Sequence, residues 1–222
     1  SDQSDVDTEY FNMQVDLNEV VQKRSVRTIY ISVSTLIVSV SVITYFYVKS
    51  LRKRMFQDEL TKLYNRRALF TNPRVLQYKY LYYFDFDNFK RINDTFGHEI
   101  GDEVLIHIAQ ELKDHFNGKI YRMGGDEFIA LCDNKQTIEN FQKDEFKYRK
   151  DDLDIHVTYS VGAICIQDNK ELPLDQIIKY ADYAMYEAKN LGKNQLVYIT
   201  DDVIKRYDKI SFTAKTRSND RF

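Results

Sequence analysis

The stretch from Ile29 to Val48 constrains the fold of this chain more than any other segment, because none of its 20 residues is charged. A helix of that length spans about 30 Å, the thickness of the hydrocarbon core of a bilayer. Aromatic side chains lie near both ends, where interfacial belts are found (Tyr30, Tyr45, Phe46 and Tyr47). We therefore predict one transmembrane helix over residues 29–48.

Two alternatives to a membrane span remain open at this point. Val and Ser alternate from Val38 to Val42, as in a strand, but a strand of 20 residues far exceeds the usual length of roughly 3–10. A signal peptide is the second alternative, although the stretch is long for one and begins far from residue 1. The more basic flank follows the span (Lys49, Arg52, Lys53 and Arg54), which favours the cytoplasm for that side.

The rest of the chain divides around this stretch. Residues 1–28 are polar, and we interpret them as an extracytoplasmic or juxtamembrane remnant. Residues 49–57 keep a helical spacing and predict a stalk that continues the span. Residues 58–200 predict one domain, and residues 201–222 predict a charged, exposed C-terminal tail.

Helical and strand patterns alternate after residue 58, which predicts an α/β sandwich with a mixed sheet. The apolar, aromatic run Tyr80–Phe86 is typical of a buried strand. Two short strands around Gly124-Gly125 predict a β-hairpin. Asp102 is expected to cap a helix that Gly118 ends. Further elements are predicted within residues 155–166 (strand), 174–190 (helix) and 195–199 (strand).

Composition excludes some classes of function. The formal net charge is -2, from 32 basic and 34 acidic side chains, so no basic footprint indicates a nucleic-acid partner. Cys132 and Cys165 lie in apolar runs without metal-ligand spacing. We therefore expect two buried, reduced thiols and no zinc site.

Acidic residues lie at the two places where chemistry is expected. Asp85 and Asp87 close the strand Tyr80–Phe86, and Asp126 and Glu127 follow the Gly-Gly turn. Carboxylates at the end of a buried strand are costly unless they are paired or bind a cation. An ordinary turn and a solvated cap explain each motif separately. Their co-occurrence indicates a site for hard cations and phosphates.

Five ordered motifs make residues 58 to about 200 resemble the GGDEF family of diguanylate cyclases. The signature is Arg-Met-Gly-Gly-Asp-Glu-Phe at residues 122–128. The other four motifs lie at residues 58–67, 85–102, 159–162 and 181–194. The resemblance implies a palm-like, nucleotide-cyclase or polymerase type of α/β fold. Its mixed central sheet would be flanked by helices and preceded by the transmembrane helix.

The resemblance also implies roles for individual residues. Asp85, Asp126 and the backbone carbonyl of Phe86 are implied to bind two Mg²⁺ ions per active site, for which Mn²⁺ substitutes. Asn93 and Asp102 are implied to hydrogen-bond the guanine edge. The other implied roles are the base (Asp126, or else Glu127), phosphate contacts (Lys90, Lys189 and Lys193), a nucleotide contact (His98) and a nucleotide-facing hairpin (Gly124 and Gly125).

The implied activity is the condensation of two GTP molecules into cyclic di-GMP with release of pyrophosphate. A homodimer is needed, because each family protomer holds one GTP. GTP is cytosolic, so the domain would face the cytoplasm from a single-pass inner or cell membrane protein and signal to cyclic di-GMP receptors. Two alternatives are a silent module that binds GTP or cyclic di-GMP, and an interaction domain that only dimerises a receptor.

One feature of many family members is missing. The inhibitory Arg-x-x-Asp motif would fall at His115 and Gly118, which have neither side chain. We therefore expect product inhibition at that position to be weak or absent.

Overall fold

The structure is a computed structural model, and it describes residues 2–135 and 145–209. The chain divides between residues 53 and 54 into two compact units, which are described separately.

The N-terminal unit is formed by a long helix, α1 (Asp2–Phe56). The side-chain hydroxyls of Thr35, Ser39 and Ser41 each donate to the backbone carbonyl four residues earlier, at 2.7–2.8 Å. These polar groups are therefore satisfied inside the helix, as a hydrocarbon environment requires. In the described residues α1 is the one helix long and apolar enough to cross a bilayer. The strand alternative for the serine-valine alternation is wrong.

The second unit is built on a six-stranded mixed sheet in the order β1-β3-β4-β2-β7-β8. The outer pairs β1–β3 and β7–β8 are parallel, and the inner pairs are antiparallel. A separate hairpin pairs β5 with β6. The strands are β1 (Tyr64–Asn65), β2 (Tyr80–Phe86), β3 (Lys119–Gly124), β4 (Glu127–Cys132), β5 (Phe146–Lys150), β6 (Leu153–Val157), β7 (Tyr159–Cys165) and β8 (Leu196–Tyr198).

Helices cover both faces of this sheet. They are α2 (Arg66–Thr71), α3 (Phe89–Phe96), α4 (His98–His115), α5 (Leu174–Asn190) and α6 (201–209). Two short 3-10 turns lie at Val75–Gln77 and Gln167–Asn169. The core on one face contains α3 and α4, and the core on the other contains α2 and α5. The predicted palm-like mixed sheet flanked by helices is confirmed.

Strand β2 lies at the centre of the sheet and explains why the apolar run Tyr80–Phe86 forms where it does. Its residues alternate between the two cores, with Phe84 and Phe86 on one face and Leu81 and Tyr83 on the other. A strand buried on both faces needs such a continuous apolar sequence. Asp85 therefore emerges from a rigid, well-packed strand.

Three boundaries differ from the sequence-based expectations. Asp102 is not a helix cap, because the chain breaks at Gly97 (φ 85°) and α4 begins at His98. Helix α4 ends at His115, three residues before Gly118. Residues 155–166 contribute to two strands, β6 and β7.

Cys132 is buried, as expected, and burial raises its thiol pKa to about 11, whereas Cys165 is only half-buried.

The expected exposed tail is wrong for residues 201–209. They form α6, which buries Val203 and Tyr207. The Tyr207 hydroxyl donates to the buried Glu187 carboxylate of α5 at 3.0 Å, and Arg206 forms an ion pair with the same carboxylate. A buried carboxylate is costly without such partners, and α6 supplies them to Glu187 of α5. The remainder of the predicted tail, residues 210–222, lies outside the described residues.

Candidate active site

The β3–β4 hairpin presents its glycines at an open surface. Gly124 has φ 151° and Gly125 has φ 51°, and residues that carry a side chain rarely adopt such backbone conformations. A Cβ atom built on either glycine meets nothing within 4 Å. The backbone of the turn is therefore accessible to a bulky ligand, and Asp126 and Glu127 follow directly.

Arg122 holds this hairpin in place. Its Nε and Nη2 atoms donate to the carbonyl oxygen of Gly125, at 3.0 and 2.7 Å. Its Nη1 atom lies 2.8 Å from Oδ1 of Asp58, which also accepts from the backbone and hydroxyl of Thr61. Burial alone would raise the Asp58 pKa, but these hydrogen bonds outweigh it and the pKa lies below its ordinary value.

Three acidic side chains of β2 and the hairpin form what we call the carboxylate cluster (Asp85, Asp126 and Glu127). Asp85 lies opposite Glu127 in the antiparallel register of β2 and β4. Lys189 of α5 reaches this cluster, and its Nζ atom lies 2.6 Å from Oδ1 of Asp85. The sequence predicted a phosphate contact for Lys189, and the structure pairs it with the predicted metal ligand.

The electrostatics of the cluster follow from burial and crowding. Burial raises the pKa of the Asp85 carboxyl, Lys189 partly offsets that rise, and the negative charge of Asp126 adds to it. Burial likewise raises the pKa of Glu127, while a hydrogen bond from Tyr83 partly offsets that rise. A bound cation would neutralise the negative charges that burial and crowding make unfavourable, so these carboxylates favour a cation close to them.

These carboxylates fit a hard cation that takes most of its ligands from water and from substrate phosphates. In the two described ranges, no three side chains of the His, Cys, Asp or Glu types are arranged to hold a metal ion. Asp85 and Asp126 together would supply two carboxylates, next to Phe86 at the end of β2. Mg²⁺ accepts such a set, because it is commonly held by one or two carboxylates together with water and substrate phosphates.

Asn93 and Asp102 are brought to adjacent helices. Asn93 lies on α3 and is half-buried, and Asp102 lies on α4 and is exposed. A Cβ atom on Gly101 would lie 1.9 Å from Oδ1 of Asn93. The absence of a side chain at Gly101 therefore lets the Asn93 amide lie against α4, one residue from Asp102.

The other predicted site residues are exposed. Lys90 lies in the first turn of α3 and His98 begins α4. In the part of the chain that the structure describes, neither residue forms a hydrogen bond or ion pair with the carboxylate cluster. Lys193 donates from Nζ to Oδ1 of Asn88 at 2.7 Å, just after the end of β2.

Asp182 of α5 is a member of this region that sequence reasoning did not single out. Burial raises its pKa, and the charge of Lys189 partly offsets the rise. Its negative charge also raises the pKa values of Tyr83 and Glu127, so it lies close to the carboxylate cluster. The available signal was a carboxylate on the buried face of an amphipathic helix, seven residues before Lys189.

Comparison with known proteins assigns this chain to one family. The family model described as "Diguanylate cyclase, GGDEF domain" matches residues 55–195. The match covers more than half of the chain, and the chain therefore belongs to the GGDEF diguanylate cyclase family.

Curated relatives agree with this assignment. The "Probable diguanylate cyclase DgcI" of Escherichia coli (strain K12) is 34% identical over 155 residues, which are 66% of this chain and 34% of the relative. The "Biofilm architecture maintenance protein MbaA" of Vibrio cholerae is 32% identical over 196 residues, 75% of this chain and 24% of the relative. The chain thus spans about a quarter to a third of the length of these relatives.

Solved structures show the same fold. A diguanylate cyclase/phosphodiesterase from Caldicellulosiruptor saccharolyticus aligns with a TM-score of 0.58 at 26% identity, over 67% of this chain and 96% of that one. Diguanylate cyclase SiaD of Pseudomonas aeruginosa aligns with a TM-score of 0.64 at 24% identity, over 88% of this chain and 82% of that one.

Proposed function

We propose that this chain is a diguanylate cyclase that condenses two GTP molecules into cyclic di-GMP. The observation that carries the proposal is the carboxylate cluster, with Asp85 from a buried strand, Asp126 at an open glycine hairpin and Lys189 beside them. This arrangement supports phosphoryl chemistry, because it can hold cations and phosphates next to a surface without side chains.

The reaction is two nucleotidyl transfers. In each, the 3′-oxygen of one GTP bonds to the α-phosphorus of the other, the bond from that phosphorus to the β-phosphate bridge oxygen breaks, and pyrophosphate leaves. We assign the acceptor of the 3′-hydroxyl proton to Asp126, since Glu127 is already engaged by Tyr83. Bound Mg²⁺ supplies Lewis-acid stabilisation of the phosphate charge.

Substrate recognition is assigned to groups outside the cluster. Asn93 and Asp102 offer an amide and a carboxylate, which suit the donors and acceptors of guanine. A site built to pair these groups discriminates against adenine, since the wrong base leaves the Asn93 amide and the Asp102 carboxylate without matching donors and acceptors. Lys90, Lys193 and, once displaced from Asp85, Lys189 are assigned to the triphosphate.

Two further parts of the proposal concern assembly. One protomer holds one GTP, so two protomers must face each other, and catalysis then gains from proximity and orientation.

We also propose that α1 tethers the chain to the inner or cell membrane with the cyclase domain in the cytoplasm. Its uncharged stretch and internally bonded hydroxyls support this tether.

The decisive experiment is product identification by mass spectrometry after incubation with GTP and Mg²⁺. We expect cyclic di-GMP from the wild type, with a specific activity that rises with protein concentration. Asp126→Ala should abolish product and keep the melting temperature, whereas Asp152→Ala, an exposed carboxylate in the β5–β6 turn, should keep activity. GTP binding without any product from the wild type would contradict the proposal and favour a silent binding module.

A further inference from the structure

The loop after α5 has an unusual backbone. Gly192, Lys193 and Asn194 follow one another with φ values of 117°, 67° and 45°. Two of the three residues carry a Cβ atom, which makes a left-handed conformation costly. Such consecutive strain persists only where the surroundings hold it, and it concentrates at functional sites.

The side chain that holds this loop is Asp87. Its Oδ2 atom accepts from the backbone N–H of Asn194 at 3.0 Å and from the hydroxyl of Thr158 at 2.9 Å. Its Oδ1 atom accepts from the hydroxyl of Ser160 at 2.7 Å. Asp87 is only 6% exposed, so a buried carboxylate with three donors connects the ends of β2 and β7 to the loop.

A second contact ties the loop to the same place. Lys193 donates from Nζ to Oδ1 of Asn88, which itself has a left-handed backbone with φ 58°. Asp87 and Asn88 directly follow Phe86 and the metal ligand assigned to Asp85. One two-residue segment therefore connects the assigned metal side of the site to a lysine assigned to the triphosphate.

The sequence grouped Asp87 with the acids that could hold a cation. Its hydrogen bonds argue against that role, because both oxygens are already engaged by donors of the protein. An anchored loop is a better explanation, since a carboxylate accepting an N–H from a strained turn fixes the position of the residues beside it.

We propose that Asp87 is a positioning residue that sets the distance between Lys193 and Asp85 by holding Asn194 in its left-handed conformation. This inference rests on the proposed function for the role of Lys193. Without the anchor the loop relaxes, and Lys193 no longer lies where the α- and β-phosphates carry their developing charge. A misplacement of about 1 Å in such a group can cost on the order of a hundredfold in rate.

A double-mutant cycle tests whether Asp87 acts through Lys193. Asp87→Asn and Lys193→Ala should each lower kcat/KM for GTP by roughly tenfold or more. Because both remove the same interaction, the double variant should lie within about threefold of the worse single variant. Asp87→Asn combined with Asn93→Ala should show the product of the two single effects. If the effects of Asp87→Asn and Lys193→Ala on kcat/KM multiply in the double variant, the proposal is overturned.

A matched control uses the other oxygen of the same carboxylate. Ser160→Ala removes the donor to Oδ1 and leaves the Asn194 bond to Oδ2, so we expect less than about a threefold change in kcat/KM. A loss from Ser160→Ala as large as that from Asp87→Asn would mean that Asp87 only supports folding, and would overturn the positioning role.

Hydrogen exchange separates this proposal from the proposed function. Asn194 is exposed, yet its amide should exchange slowly in the wild type and at least roughly tenfold faster in Asp87→Asn. Rapid exchange in the wild type would refute the anchor even if Asp87→Asn fails to fold. If the wild type binds GTP but makes no product, the same double-mutant cycle is measured on the Kd for GTP in the presence of Ca²⁺. Effects of Asp87→Asn and Lys193→Ala on Kd that multiply would again overturn the inference.

Discussion

Arg122 joins the carboxylate of Asp58 to the carbonyl oxygen of Gly125, and it thereby ties the turn at residues 57–63 to the glycine hairpin. The two charged side chains are only 11% and 24% exposed, so the ion pair is better shielded than a surface pair. Two N–H groups of the planar guanidinium converge on the Gly125 oxygen while a third meets Asp58, and this arrangement also fixes geometry. The conformation of the hairpin therefore depends on a residue 64 positions earlier.

We predict that Asp58→Ala lowers the free energy of unfolding by about 2 kcal/mol, because the mostly buried Arg122 loses its charged partner and keeps only its bonds to the Gly125 carbonyl. Urea unfolding at pH 7 measures the loss, with Glu59→Ala as the exposed control that should change it by less than about 0.5 kcal/mol. The folded-state pKa of Asp58 is lowered, so its contribution is present above the unfolded pKa and disappears as the pH falls through the folded one. Equal stability of Asp58→Ala and Glu59→Ala at pH 7 would refute this account.

We predict that Glu127→Gln stabilises the fold at neutral pH. The pKa of Glu127 is raised in the folded state, so the folded chain binds more protons and stability falls as the pH rises from the unfolded to the folded pKa. Glutamine cannot ionise and still accepts from Tyr83. Melting temperatures at pH 7 and near pH 4 should show a gain at the first pH that vanishes at the second. A gain of equal size at both would contradict the electrostatic explanation.

We predict that Gly101→Ala impairs nucleotide selection without a large cost in stability. The new Cβ atom would meet only the end of the flexible Asn93 side chain, which can move away. Helix propensity also favours Ala over Gly by about 1 kcal/mol. We expect KM for GTP to rise roughly tenfold and the preference for GTP over ATP to narrow, since Asn93 leaves its place. Unchanged KM and selectivity in a well-folded variant would mean that Asn93 does not contact the base.

We predict that Lys189→Met tightens metal binding measured without nucleotide. The ammonium at 2.6 Å from Asp85 competes with a cation for that carboxylate, so its removal should lower the Kd for Mn²⁺ by roughly tenfold. Electron paramagnetic resonance at pH 8 measures free Mn²⁺ directly. Lys179→Met changes a lysine on the same helix as Lys189 and breaks its ion pair with Asp208 of α6, so it should leave the affinity unchanged. The same Kd for both variants would show that Lys189 does not compete with the metal.

Local patterns in the sequence predicted the elements whose apolar residues follow a regular pattern. The bounds of β2 and α5 match the expected ones, because a continuous aromatic run and a regular inward face leave few alternatives. The hairpin and the meeting of Asp85 with Asp126 and Glu127 also followed from the motifs.

What the sequence could not supply are pairings between distant side chains. The contacts of Arg122 with Asp58, and of Asp87 with Asn194, join residues 64 and 107 positions apart. Helix α6 was missed for a related reason. Its segment is strongly charged, and only the buried Glu187 explains why Tyr207 becomes buried. The start of α4 was misplaced because Asp102 is a good capping residue type, whereas the chain actually breaks at Gly97.

Helix α6 bears on where the GGDEF domain can be separated from the rest of the protein. The family match ends at residue 195, but Glu187 depends on Arg206 and Tyr207 beyond that point. A fragment cut at the family boundary would leave a buried carboxylate with its counterion removed, and would uncover the α5 surface that Tyr207 covers. A fragment that ends after residue 209 keeps these contacts, so the folding unit extends beyond the residues that match the family.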